Sequence, residues 1–524
     1  MNPALVSHEW LVIALGLGVL LADLWLPGPA KRKLGYVAAL GVGAILLYSL
    51  LAFTVEPGRA QYAFNEMYVL DGLALFFKRF FLVAALLVLL MSVEYADAFQ
   101  AGIGEFYALL LFALSGMLFA SSVNHFALLF VSLELITVTF YVLASFERTR
   151  LTSLEAGVKY LIIGALSTSF TVFGIALVYG ISHQLNFGGL AAVAGQCSHN
   201  QLFLCGLGLV TVGLGFKIAA FPFQIWAPDV YQGAPSPTTA FLAVGSKAAG
   251  FVLVLRVLFT AVPVVTAQWS GLLMVISAAS ILYGNLCAIP QRNLKRLLGY
   301  SSIAHAGYLL LGIAALAISL GQGAGLSAPG ASAVLYYLSG YLFTVLGAFT
   351  VICLALPPAG GEDLSALAGL NRRSPLLAAI MTLAMVSLAG IPPLAGFFGK
   401  FLLLKSILAA APAHPGCYCL ALTAVAGVII SLYYYFGVVR AMYWSESGPS
   451  LAPIPASGPI RLSLYACAAG MLLLGVYPAP VVNFASQAVQ VPVVPSAPFT
   501  AGSPPAAQRA AVVAAAPLLL PGPK

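Results

Sequence analysis

Charge is what this 524-residue sequence most lacks: 23 Lys/Arg and 15 Asp/Glu make up only 7% of it. A soluble domain carries roughly a quarter of its residues charged. So few charges cannot cover a water-exposed surface of this length, which would present large apolar patches and aggregate. A soluble enzyme, a nucleic-acid-binding protein and a disordered chain are therefore excluded. Cysteine is also sparse. The seven (Cys197, Cys205, Cys287, Cys353, Cys417, Cys419 and Cys467) lie mostly inside apolar stretches, and none has zinc or iron–sulfur spacing with histidine support. The close pair in Cys417-Tyr418-Cys419 reads as the start of a helix. No nucleotide loop is present either: Gly206-Leu207-Gly208 sits within an apolar run, where small residues serve helix packing. No cofactor and no metal is expected in this chain.

What the sequence has instead is long apolar runs. Hydrophobic residues make up 61% of it and mean hydropathy is +1.01. About 20 apolar residues cross a bilayer as a helix. By that measure the chain is an all-α polytopic membrane protein with fourteen spans, near 9–26, 34–53, 73–92, 104–121, 124–146, 155–181, 201–227, 236–259, 268–289, 294–316, 331–356, 376–408, 416–444 and 460–477. Strands are not expected across the membrane, because the runs are long and lack polar–apolar alternation. The first run has Glu9 before it and Lys31-Arg32-Lys33 after it, the reverse of a secretory signal, so it reads as a span.

The net charge of +8 is scattered through short loops and reads as a topology signal. With the N-terminus placed outside, inside loops hold Lys31, Arg32, Lys33, Arg148, Arg150, Arg292, Lys295, Arg296, Arg372, Arg373, Arg440 and Arg461. Outside stand only Arg59 and, in the tail, Arg509 and Lys524. That asymmetry follows the positive-inside rule and turns both termini outward. Residues 1–480 read as one transmembrane domain, and 484–524 as a Pro/Ala-rich flexible tail.

Against this background a few ionisable residues lie deep in apolar runs: Glu134, Lys159, Lys217, Lys247 and Lys400, with His305. Glu134 is about ten residues into its span, roughly 15 Å at 1.5 Å per residue. A charge at the bilayer centre costs from about 2.5 to more than 10 kcal/mol, so such groups must pair, face water or lose their charge. Lysine is the informative type, since burial weakens its hold on its proton and a nearby carboxylate restores it. A Glu134–Lys217 pair would therefore keep the lysine charged when close and release its proton when apart. Lys78, Arg79, Lys159, Arg256 and Lys405 admit a simpler reading, snorkelling to the interface. Lys159 also has Glu155 one turn before it. Trp10, Trp226 and Trp444 read as interfacial anchors.

Two spans carry proline beside a buried lysine: Gly215-Phe216-Lys217-Ile218-Ala219-Ala220-Phe221-Pro222, and Gly390-Ile391-Pro392-Pro393-Leu394-Ala395-Gly396-Phe397-Phe398-Gly399-Lys400. Proline removes a backbone hydrogen bond, so both helices should open at membrane depth, and freed carbonyls persist there only where protein or water satisfies them. The breaks lie five spans apart. Spans 4–8 (about 104–259) and 9–13 (about 268–444) then form two five-helix units, and an odd helix count makes the second inverted, a transporter signature.

At these residues the sequence resembles the antiporter-like membrane subunits of respiratory complex I and of Mrp-type cation/proton antiporters. The resemblance runs from about 130 to 405. It rests on Ser132-Leu133-Glu134-Leu135, Glu155-Ala156-Gly157-Val158-Lys159-Tyr160, the stretch from Phe216-Lys217 through Trp226-Ala227-Pro228-Asp229 to Pro235, Ser246-Lys247-Ala248, Asn293-Leu294-Lys295-Arg296 through His305, and the 390–400 run. It implies proton translocation in a bacterial inner membrane. Glu134 and Lys217 would be the paired carboxylate and lysine, Lys247 the connecting group and Lys400 the lysine of the second half-channel, with His305 on the polar axis between. It implies that NADH, FMN, iron–sulfur clusters and quinone belong to partner subunits. The alternatives are a subunit of a Mrp-type antiporter or of a membrane-bound hydrogenase-type complex, and a non-transporting scaffold.

Overall fold

Apolar segments without water partners must satisfy their backbones internally, and in the computed structural model nearly every such segment is a helix. The structure describes residues 3–96, 99, 102–323, 329–359, 361–445 and 452–490. Thirteen helices are long and apolar enough to cross a membrane. These are Ala4–Trp25, Lys33–Ala52, Gly72–Tyr95, Ile103–Ser121, Phe126–Ala144, Leu151–Ser182, Gln201–Ile218, Ser236–Ala261, Ser270–Ala288, Leu294–Gly321, Pro329–Pro357, Gly416–Trp444 and Gly458–Val476. The expected twelfth span is present as two shorter helices, Pro375–Ala389 and Ala395–Ala410. Numbering it in place makes fourteen spans in the expected order. The seventh is also divided: Gln201–Ile218 gives way to a turn and then to Trp226–Gly233.

The two breaks are built alike. Ala219 (φ 56°) and Gly390 (φ 87°) are left-handed residues that end the first half-helix. Around Ala219 the amide of 219 bonds the carbonyl of Phe216, and that of Ala220 reaches Gly215. Around Gly390 the amide of 390 bonds Ser387, and that of Ile391 reaches Val386. This is the same helix-ending motif. Three residues after each left-handed position comes a cis proline bond, Phe221–Pro222 and Pro392–Pro393. In each set the preceding helix, the sixth or the eleventh, packs along both halves of the broken one.

Burial is uneven. The most apolar window of the eighth span is entirely buried and those of the tenth and eleventh nearly so, whereas only 28% of the sixth span's window and 33% of the thirteenth's are buried. Polar side chains on spans 8, 10 and 11 are thus held away from any surrounding lipid. Without a hydrophobic drive between helices in lipid, close packing carries association. At Gly284, for example, a Cβ would stand 2.4 Å from the amide nitrogen of Ala304, so glycine lets spans 9 and 10 approach.

Three features depart from expectation. A short antiparallel hairpin, Gln61–Ala63 with Tyr68–Leu70, joins spans 2 and 3. Residues 484–488, expected in the tail, instead continue the helix Ala479–Ala488, and Phe484 packs 5.6 Å from Phe76. The remainder, 491–524, lies outside the described residues. Lysines and arginines assigned to snorkelling divide: Lys405 is exposed and Lys159 partly so, but Lys78 is 0% and Arg256 2% exposed. Each of the last two is held by a carboxylate distant in sequence.

Candidate functional site

The fifth, sixth and seventh spans bring Glu134 and Lys217 to one small cavity of about 20 Å³, also lined by Thr137, Ser167, Thr168 and Thr171. A volume of ~10–15 Å³ or more holds one water, so this cavity takes a single molecule. The two groups do not form an ion pair among the described residues. Thr168 donates to Glu134 Oε1 (2.7 Å), and Lys217 Nζ donates to Thr137 Oγ1 (3.1 Å). Lys217 is 2% exposed and lies in the last turn of its half-helix, where the carbonyl end favours a cation. Trp226 is a structural surprise. It is 4% exposed and no interfacial anchor: its indole N–H donates to the Phe216 carbonyl (3.0 Å) at the break, alongside the Ala219 amide. Trp10 and Trp444 are 56% and 74% exposed, as anchors should be.

Lys247 stands directly after a π-helical turn, Leu242–Ser246, and a second such turn, Arg256–Ala261, follows its helix. Such bulges re-aim side chains and cluster at functional sites. Its ammonium donates to both the carbonyl and the hydroxyl of Ser302. The Ser302 hydroxyl also meets Tyr231 (2.8 Å) and Tyr341 (3.2 Å). Neighbouring Ser301 turns to Tyr435, which bonds His305 Nε2 at 3.0 Å, and His305 Nδ1 bonds Tyr337. Lys400 donates to the carbonyls of Leu388 (2.7 Å) and Ala389 (3.2 Å), the last of the first half-helix, and sits 4.8 Å from the centre of the Tyr308 ring. A cavity of about 10 Å³ is lined by Tyr231, Ser301, Tyr341 and Leu388 among others.

The structure thus brings Lys247, His305 and the surroundings of Lys400 into one buried polar array of serines and tyrosines. Glu134 and Lys217 occupy their own pocket, and no hydrogen bond among the described residues links Lys217 to Lys247. The lysines are also placed differently at the two breaks: Lys217 precedes Ala219 by two residues, whereas Lys400 follows Gly390 by ten and reaches back. Lys159 joins neither group. It pairs with Glu155 as its spacing implies, and with Asp229, which also holds Arg296.

Sequence reasoning missed Thr137, Thr168, Tyr231, Ser302, Tyr337, Tyr341 and Tyr435. Tyrosines in mid-span, two of them at i and i+4, were the available signal. It also read Arg150 and Lys295 as topology signals only. With Glu147 and Glu362 they gather at one end of the bundle: Lys295, 1% exposed, and Arg150 both lie 2.9 Å from Glu362, and Arg150 meets Glu147 at 2.8 Å. A cavity of about 390 Å³ opens there, lined by Tyr95, Glu147, Arg150, Ser236 and Glu362. Burial would raise the Glu362 carboxyl, but Lys295 and Arg150 beside it hold it below the usual carboxylate range. Among the described residues no group of three His, Cys, Asp or Glu side chains could hold a metal.

Fourteen apolar crossings, two broken at membrane depth beside buried lysines, define a polytopic membrane protein of the ion-transporter class. Residues 123–430 match the family described as "NADH:quinone oxidoreductase/Mrp antiporter, TM", and the chain belongs to that family. It is 38% identical over 495 residues to NADH-quinone oxidoreductase subunit N of Trichlorobacter lovleyi (94% of this chain, 97% of the relative). It is 39% identical over 484 residues to the subunit N of Moorella thermoacetica (92% and 98%). Among solved structures it superposes on a chain of respiratory complex I from Thermus thermophilus with a TM-score of 0.74 at 33% identity, covering 91% of this chain and 99% of that one. The Mrp complex of a Dietzia species shares the fold alone, with a TM-score of 0.77 at 18% identity over 95% of this chain and 99% of that one.

Proposed function

We propose that this chain is the antiporter-like subunit N of a proton-translocating NADH:quinone oxidoreductase in a bacterial inner membrane. It moves H⁺ through its buried Glu, Lys and His residues while NADH oxidation and quinone reduction occur elsewhere in the complex. The observation that carries this reading is the buried array in which Lys247 and Tyr341 share Ser302, the Tyr341 ring lies 5.2 Å from that of His305, and Lys400 lies against Tyr308 on the other side, with no carboxylate in contact with either lysine among the described residues. Such lysines are held by carbonyls and hydroxyls, which stabilise the ammonium without fixing it as an ion pair does. The cavity against Tyr231, Ser301 and Tyr341 is of about the size of one water, through which a proton can pass between hydroxyls.

In this reading Glu134 and Lys217 exchange a proton across their shared cavity, Lys247 connects, and Lys400 serves the second unit, with Lys159 supporting from the ion network of Asp229. Pro222, Pro392 and Pro393 hold the helix openings. The units 104–259 and 268–444 are inverted repeats, a division supported by their like-built breaks. The excess of basic residues in alternate loops supports both termini lying outside. NADH, FMN, iron–sulfur clusters and quinone belong to the partner subunits, and no nucleic acid is involved. Mrp-type antiporters are less similar in sequence than the subunits N, which disfavours that alternative.

The test replaces Lys217 or Glu134 with Ala in the assembled complex and follows NADH-driven proton uptake by inverted membrane vesicles. Loss of uptake with assembly preserved is expected. Unchanged uptake in a normally assembled complex overturns the assignment.

A further inference from the structure

A second buried glutamate–lysine pair lies outside the two broken-helix units, at the end of the bundle that bears the hairpin. Glu9 of the first span and Lys78 of the third are both 0% exposed and in direct contact. Lys78 also donates to Tyr68 Oη (2.9 Å), which lies 3.1 Å from Glu9 Oε1 and 3.0 Å from the Leu5 carbonyl. We infer that Glu9, Lys78 and Tyr68 form a further proton-transfer site of this subunit, hydrated through His8. The inference rests on the proton-translocation reading above.

The argument turns on a contrast with the pair beside it. Asp71 and Arg256 are also buried, at 3% and 2% side-chain exposure, and fully bonded. The guanidinium holds both carboxylate oxygens at 2.6 and 2.7 Å and donates to the Ser121 carbonyl, while Asp71 Oδ1 caps the third span at the Ala74 amide. Arginine does not give up its proton, and a complete bidentate pair is a fastener. The lysine pair differs on each count. Lysine can release its proton, Glu9 Oε2 has no partner among the described residues, and both ring nitrogens of the adjacent, 0% exposed His8 have none either. Buried polar atoms left over in this way call for ordered water. His8 sits against the Phe53 ring, 4.5 Å between centroids, with Arg79 nearby holding the Ser49 and Phe53 carbonyls.

Position connects the site to the axis. Lys78 reaches the Leu118 carbonyl and Arg256 the Ser121 carbonyl, one turn apart on the fourth span. Arg256 is on the same helix as Lys247, nine residues further on, or about 13 Å at 1.5 Å per residue. The fully covered eighth span therefore runs from the central lysine to the edge of this cluster.

The test compares Lys78→Arg, Lys78→Met and Glu9→Gln in the complete complex, with Lys217→Ala in parallel, reading assembly, NADH oxidation and proton uptake per NADH. Lys78→Arg keeps the charge and the contact with Glu9 but cannot release a proton. The expected result is a severalfold loss of uptake per NADH in Lys78→Arg, as large as in Lys78→Met, with NADH oxidation still present. Glu9→Gln is expected to lose uptake likewise, together with an H/D-sensitive carboxyl band in redox-induced infrared difference spectra. Wild-type uptake in Lys78→Arg overturns the inference and leaves a fastener. Wild-type uptake in Glu9→Gln overturns it equally, and decides the matter if the lysine variants assemble poorly. If Lys217→Ala also pumps normally, the translocation reading itself falls. If Lys217→Ala alone stops pumping, only this site does.

Discussion

Ser302 is the meeting point of the central array, and removing its hydroxyl has calculable consequences. In Ser302→Ala, Lys247 keeps the backbone carbonyl of residue 302 but loses its second acceptor, while Tyr231 and Tyr341 lose the hydroxyl they share. A hydrogen bond to a charged group contributes about 1.5–3 kcal/mol and a neutral one about 0.5–1.5. The hydroxyl therefore contributes about 2.5–6 kcal/mol at most, an upper bound because contributions that share one hydroxyl are not additive. The part that bears on Lys247 alone, at about 1.4 kcal/mol per factor of ten, slows proton passage by roughly 10- to 100-fold. Ser302→Thr keeps the hydroxyl and serves as the control. The assay is proton uptake per NADH in inverted vesicles, with assembly scored independently. An assembled Ser302→Ala complex that pumps like wild type would refute the claim that this hydroxyl relays the proton.

Three further outcomes follow from the same geometry. At Gly390 a Cβ would stand 3.0 Å from Lys400 Cδ at φ 87°, so Gly390→Ala should lower stability by about 1–2 kcal/mol and disturb Lys400. Ala219→Gly at φ 56° should raise stability by up to about 1 kcal/mol, and thermal unfolding in detergent reads both signs. Trp226→Phe keeps the ring contacts with Tyr160 and Phe216 but removes the indole hydrogen bond to the Phe216 carbonyl, which retains the Ala219 amide, for a loss of about 0.5–1.5 kcal/mol in the same unfolding assay. Glu362, held below the usual carboxylate range by Lys295 and Arg150 against the effect of burial, contributes stability that is fully present above the unfolded value of ~4.3 and lost as pH falls through its depressed folded value. The stability gap between wild type and Glu362→Gln should therefore be flat near neutral pH and shrink only under acid. A gap unchanged by acid would contradict that origin.

How much was legible depended on whether a residue's role is local. Each crossing announces itself in about 20 consecutive residues, and a proline in a span implies an opening wherever the span sits. Glu134, Lys217, Lys247, His305 and Lys400 stood out by depth alone. Partners across the bundle did not. Glu9 is 69 residues from Lys78 and Asp71 is 185 from Arg256, so Lys78 and Arg256 read as snorkelling when both are in fact paired. Apart from the Tyr337/Tyr341 spacing, serine, threonine and tyrosine carry little spacing signature in a helix, and their hydrogen bonds emerge only when spans 8, 10, 11 and 13 are packed. The shared cap of the two breaks was hidden for another reason: one uses glycine at the left-handed position and the other alanine.

Lys247 and Lys400 flank a single imidazole, Lys247 by way of Tyr341, whose ring lies 5.2 Å from that of His305, and Lys400 by way of Tyr308, at 6.0 Å. Neither ammonium has a counter-ion in contact among the described residues, so each proton taken up adds a whole positive charge to a region from which water is largely excluded. Like charges repel strongly across a weakly screening interior. If the array carries protons as proposed, charges on it would repel one another, and traffic along it would proceed by displacement, with few protons aboard at any instant.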